Sequence, residues 1–147
     1  MAYADLAFAN IYFGERLHTE PWDSATISDR NKALAMATRD IDRLDYVSAK
    51  VDADQENEFP RVGQSEAPDD IKIACCEIAL ALLDGVDPEV ELSNIRVKSD
   101  RFSGVGTTYD PNSVPEHIPA MIASARAWTF IKPWLREYRN IRISRVS

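Results

Sequence analysis

Pro68-Asp69-Asp70-Ile71-Lys72-Ile73-Ala74-Cys75-Cys76-Glu77-Ile78-Ala79-Leu80-Ala81-Leu82-Leu83-Asp84-Gly85 is the stretch that decides the fold. Its spacing predicts a helix with both ends marked. Pro68 suits a first helical position, Asp69 and Asp70 complement the positive helix start, and Gly85 supplies the stop. Between those marks Ile71, Ile73, Ala74, Cys75, Cys76, Ile78, Leu80, Leu82 and Leu83 leave almost no polar face. A helix apolar on all sides must be surrounded. It is either the central helix of a bundle or is covered by a neighbouring subunit. The run Ile73–Leu83 contains Glu77 and falls far short of the roughly 20 residues of a membrane span.

Upstream, Asp5 can cap a helix reaching Leu17, with Leu6, Ala9, Phe13 and Leu17 on one face and Gly14 weakening its end. His18-Thr19-Glu20-Pro21-Trp22-Asp23 reads as a connection, because proline and its predecessor resist helix. A second helix is predicted from Ser28 to Leu44, with Leu34, Ala37, Ile41 and Leu44 as its apolar stripe and Lys32, Arg39, Asp40 and Arg43 on a solvated face. Residues 45–66 have no clean period. A loop of that length in a compact domain marks either a binding segment or a surface excursion pinned by Phe59.

Downstream, Asp87-Pro88-Glu89 allows a short helical turn to Leu92, after which the pattern changes period. Ile95 and Val97, then Phe102, Val105, Thr107, Thr108 and Tyr109, predict two short strands, with the turn at Asp100-Arg101 and a kink or bulge at Gly104 and Gly106. A last helix is expected from Pro119 to Lys132, with Ile118, Met121, Ile122, Ala125 and Trp128 inward and Pro133 ending it. The fold class expected is mainly α: a small four-helix bundle with a β-hairpin inserted at about 94–109, a long loop, and an extended C-terminal arm. Residues 1–135 form the helical domain and 136–147 the arm, with no repeat and no second domain.

The chain has 147 residues, near the commonest domain size, and its 45% apolar content excludes wholesale disorder. Lys132, Arg136, Arg139, Arg142 and Arg145 against the single Glu137 give residues 132–147 a charge of +4. The whole chain carries −7, which leaves −11 for residues 1–131. The body should therefore repel nucleic-acid phosphates, and the arm is the obvious basic patch. Four arginines recur every third residue with Ile141, Ile143 and Val146 among them. Such a segment cannot bury itself without stranding charge, and it is too apolar for an inert tail. It fits either phosphates, with Trp134 or Tyr138 stacking on bases, or an acidic protein groove entered as an added strand.

No catalytic constellation is visible, and an enzyme is not expected. His18 and His117 are the only histidines and lack partners at ligand spacing, so neither a metal nor a cofactor is expected. Asp52, Asp54, Glu56 and Glu58 resemble a calcium loop without its glycine or closing glutamate. Gly104-Val105-Gly106 lacks a third glycine and a following helix. Cys75 and Cys76 have no basic neighbours to favour thiolate, and helical neighbours diverge by about 100°, so neither catalysis nor a disulfide between them is expected. With no basic n-region after Met1 and no apolar h-region, a soluble product of the cytoplasm is expected.

Several segments together resemble one family. They are Ala4-Asp5, Tyr12-Phe13, Arg16-Leu17-His18 and Trp22; Lys32-Ala33-Leu34 with Ala37-Thr38-Arg39-Asp40-Ile41-Asp42; Glu58-Phe59-Pro60-Arg61; Pro68-Asp69-Asp70-Ile71-Lys72 leading into Ala74-Cys75-Cys76-Glu77-Ile78-Ala79-Leu80; and Val114-Pro115-Glu116. Their order and spacing resemble a small tailed-phage family whose members are labelled DnaT-like single-stranded-DNA-binding proteins. They are also similar to the head-to-tail adaptors, or connectors, of tailed bacteriophages. The adaptor resemblance implies a virion protein of the neck, made in the host cytoplasm. It also implies a homo-oligomeric ring of about twelve copies between the portal protein and a tail-side neck protein, with double-stranded DNA passing through unbound. The DnaT-like label implies the alternative, a replication module that binds single-stranded DNA.

On the adaptor reading, Arg136, Arg139, Ile141, Arg142, Ile143 and Arg145 are expected to dock on the portal. Phe59, Arg61, Ile95, Val97, Phe102 and Tyr109 are expected at subunit or tail contacts. The acidic body favours this reading, since a negative wall does not hold passing DNA by its phosphates.

Overall fold

Pro68 does not enter the helix it announces. It caps it with extended backbone (φ −62°, ψ 153°), and the helix runs Asp69–Leu83, closing at Gly85 in the left-handed region (φ 88°). The computed structural model describes residues 1–104 and 114–136, and within 97–104 it describes the backbone alone. Among these residues the elements are α1 (Leu6–Gly14), α2 (Glu20–Asp23), α3 (Ile27–Asp42), α4 (Asp69–Leu83), α5 (Pro88–Gly104) and α6 (Ala125–Ile131), followed by a 3₁₀ turn at Lys132–Trp134. The described residues hold no sheet, only two isolated antiparallel bridges, Tyr46 with Leu135 and Lys50 with Arg61.

Helix α4 is the axis of the fold. It packs along α3 and α6 and also touches α1 and α2. Ile71, Ala74, Cys75, Cys76, Glu77, Ile78, Ala79 and Leu80 are all buried. Over Ile71–Leu80 the chain itself supplies most of the cover, while Leu82 and Leu83 at the helix end stay half-buried. Against α4 lie Ala33, Leu34, Ala37 and Ile41 of α3, Phe13 of α1, Trp22 of α2, and Ala127 and Ile131 of α6.

Several boundaries differ from expectation. Helix α1 stops at Gly14 rather than Leu17, and the chain turns at His18 with a left-handed φ of 60°. Pro21 does not prevent helix in the connection, because it occupies the first turn of α2, where a missing N–H costs nothing. The cap of α3 is Thr26 rather than Ser28; its Oγ1 accepts the Asp29 N–H at 3.1 Å. The last helix begins six residues later than Pro119. Residues 116–121 turn, Met121 is left-handed at φ 62°, and the Ser124 hydroxyl accepts the Ala127 N–H to start α6.

The largest correction is at 94–109. No hairpin forms at 94–104; these residues continue α5 from Pro88, and 105–109 lie outside the described residues. Pro88 opens the helix, with Glu89 and Glu91 in a first turn where negative charge is favourable. The apparent two-residue alternation spans only Ile95 and Val97, too short a run to distinguish strand from helix. The bundle therefore has six helices instead of four and no inserted β element among the described residues.

Candidate functional site

The basic segment at 136–147 follows α6 after the 3₁₀ turn and Leu135, and its root is fixed. Pro133 sits in the 3₁₀ turn, after which Leu135 is extended (φ −79°, ψ 139°). The Val47 N–H donates to the Trp134 carbonyl at 2.9 Å, and the Arg136 N–H donates to the Asp45 carbonyl at 3.0 Å. Leu135 is buried beside the equally buried Tyr46, and the Trp134 ring meets Phe59 edge-on with centroids 6.0 Å apart. Arg136 is half exposed and lies 3.9 Å from the Asp45 carboxylate, an open pair that contributes little. Beside the root, Glu116 Oε2 accepts from Lys132 Nζ at 2.8 Å and Trp128 Nε1 at 3.0 Å. These two donors hold the Glu116 carboxyl below its usual range.

Loop 45–66 is closed at its neck. The Val62 N–H donates to the Ala49 carbonyl at 2.8 Å and the Val51 N–H to the Pro60 carbonyl at 3.2 Å. Phe59 is 3% exposed among Tyr3, Tyr46 and Trp134, which supports the reading of a pinned excursion. Arg61 is 6% exposed and acts as a staple. Its guanidinium donates to the carbonyls of Tyr46, Val47, Ser48 and Glu58, and to Glu58 Oε2 at 2.6 Å. A planar fork with five donors suits such a cluster of carbonyls. In this chain both side chains are turned inward, and neither offers surface to a neighbour.

Of the other expected contact residues, Ile95 is half-buried on α5. Val97 and Phe102 stand on the same helix, in the part described by its backbone alone, and Tyr109 lies outside the described residues. In the arm only Arg136 is described; Arg139, Ile141, Arg142, Ile143 and Arg145 lie outside. None of the ten described Phe, Tyr and Trp residues stands exposed, so the described body presents no open stacking platform.

One buried network escaped sequence reasoning. Glu77 is 2% exposed and forms a two-pronged pair with Arg16, Nε to Oε1 at 2.6 Å and the second nitrogen to Oε2 at 3.1 Å. The Tyr12 hydroxyl also donates to Oε1, and burial with the adjacent carboxylate pushes the Tyr12 pKa up. The pair floors a cleft of about 550 Å³ between the end of α1, α4 and the start of α6. The signal was present: a lone carboxylate inside an all-apolar helix must find a cation or lose its charge. Cys75 and Cys76 are fully buried, and burial pushes both thiols up, away from reactivity. Among the described residues no His, Cys, Asp or Glu cluster is arranged to hold a metal, and no helix is long and apolar enough to cross a membrane.

Residues 2–146 match the family described as "Putative DnaT-like ssDNA binding protein". Neither the curated proteins nor the solved structures contain a match.

Proposed function

Because this chain belongs to the DnaT-like single-stranded-DNA-binding family over nearly its whole length, we propose that it is a non-enzymatic module that holds single-stranded DNA through its C-terminal arm. The observation that carries this reading is that the family match runs to residue 146 and so includes the arm. The acidic body, whose described rings are all buried or half-buried, leaves the arm as the segment suited to phosphates. Arg136, Arg139, Arg142 and Arg145 supply four cations, Tyr138 an aromatic ring, and the fixed root at Leu135 holds them to the body. Four neutralised phosphates on a single strand give a log–log salt slope of about −3. Filter binding with a single-stranded oligonucleotide should show retention with that slope, and deletion of residues 137–147 should abolish it. No retention at low salt, or retention untouched by the deletion, would refute the reading.

A second reading is the head-to-tail adaptor, a ring in the virion neck between portal and tail. Its support is the same acidic body, −11 over residues 1–131, which suits a wall past which double-stranded DNA slides. There the arm would dock on the portal, and many weak contacts on one ring would add through effective concentration. Electron microscopy of the purified protein mixed with portal distinguishes the two, since only the adaptor reading requires a closed ring seated on it.

A further inference from the structure

An apolar groove of about 410 Å³ opens where α3, the end of α4 and the start of α5 meet. Met36, Leu82, Leu83 and Val86 form its apolar lining, and Asp29 and Asp87 stand at its rim. Met36 is 46% exposed, and Val90 on the adjoining first turn of α5 is 52% exposed. The segment 84–91 carries Asp84, Asp87, Glu89 and Glu91 with no cation. The one cation in the lining, Lys32, lies 3.9 Å from Asp29. The groove is thus apolar in its floor and acidic at its edge.

We propose that this groove receives the chain's own C-terminal arm, with Ile141 and Ile143 on Met36, Leu82 and Leu83 and the flanking arginines on the acids of 84–91. The arm is the complement in both respects, since its isoleucines alternate with Arg142 and Ser144 and its charge is opposite. The reach to Met36 is sufficient, even with the three residues from Asp42 to Asp45 adding up to about 10 Å. The arm leaves the body at Arg136, bonded to Asp45, three residues beyond the end of α3 at Asp42. Along α3, Met36 lies about 9 Å back from Asp42 and Asp29 about 20 Å. Five to seven extended residues, Arg136 to Ile141 or Ile143, span about 17–23 Å. Docked there, the arm is masked, and any polyanion it serves must first displace it. The proposal does not depend on which polyanion that is.

The test is a disulfide cross-link in the full chain between Met36→Cys and Ile143→Cys. The native Cys75 and Cys76 are fully buried and do not compete. The expected product is an intramolecular link, several-fold more abundant than for Ile11→Cys with Ile143→Cys, since Ile11 is exposed on α1 outside the groove. Asp84→Lys with Glu89→Lys should lower the yield several-fold, as should salt near 1 M, where screening acts within about 3 Å. A yield no higher than the Ile11 control overturns the proposal, as does a yield indifferent to the charge reversal. A disulfide-linked dimer also overturns it, by assigning the groove to a second copy.

Discussion

Removing the Arg16 guanidinium should cost this protein more than removing the carboxylate it serves. Glu77 is 2% exposed and Arg16 is 22% exposed, so only the arginine can turn to water when its partner is lost. Arg16→Met keeps the apolar stem but strands a buried carboxylate, which costs about 3–5 kcal/mol. For a chain of this size, with total stability of roughly 7–15 kcal/mol, that is a loss of order 10 °C in Tm. Glu77→Gln retains an acceptor for the Tyr12 hydroxyl and frees a cation that can reach solvent, so about 1–2 kcal/mol is expected. Arg16→Met with Glu77→Leu removes both charges and should return to within about 1 kcal/mol of the parent. Urea unfolding followed by circular dichroism measures all three. An Arg16→Met loss below about 1 kcal/mol, or a double variant as unstable as the two singles summed, would refute the reasoning.

Phe59→Ala should cost about 3–5 kcal/mol, because it empties a site walled by Tyr3, Tyr46 and Trp134. Limited proteolysis should then cut within 45–66 at a rate the parent does not show. Gly85→Ala should cost about 1 kcal/mol through backbone strain alone, since φ is 88° and no atom lies within 4 Å of an added Cβ; Gly85→Asn should cost less in the same melt. Burial raises the Asp42 carboxyl above its usual 3.8, against the lowering effect of the Tyr3 hydroxyl and the Glu58 N–H. The folded state therefore binds this proton more tightly than the unfolded one, and the group adds stability as pH falls through its folded value and loses it as pH rises. Asp42→Asn should flatten stability against pH just above 3.8, while Asp40, also raised by burial, titrates in both proteins.

What was legible in the sequence followed from strong local marks. Pro68, the acids after it and Gly85 placed α4 to within a residue or two, because cap and stop chemistry act locally. That it had to be covered was legible too, since an all-apolar surface must be, but whether the chain itself or a neighbouring subunit covers it was not. The failures fell where local signals tie and tertiary structure decides. Ile95 and Val97 fit a strand or a helix equally until α5 propagates from Pro88. Pro119 fitted a first turn, yet the Ser124 cap prevailed five residues later. In the candidate site, Phe59 and Arg61 were expected at subunit or tail contacts, and the inward direction of their side chains depends on contacts with Tyr3, Ser48 and Trp134, distant in sequence and without a local signature. Glu77 was noticed only as a charge that interrupts an apolar run, and its partner 61 residues away has no local signature.

The pairing of Tyr46 with Leu135 has a mechanical consequence. A pull on the chain's end is received by the Arg136–Asp45 and Trp134–Val47 backbone bonds. It passes from there into Phe59 and the Arg61 staple rather than into α6 alone. Traction at the terminus is thus shared between two distant stretches of chain, and yielding requires the neck of the 45–66 loop to give way along with the last turn.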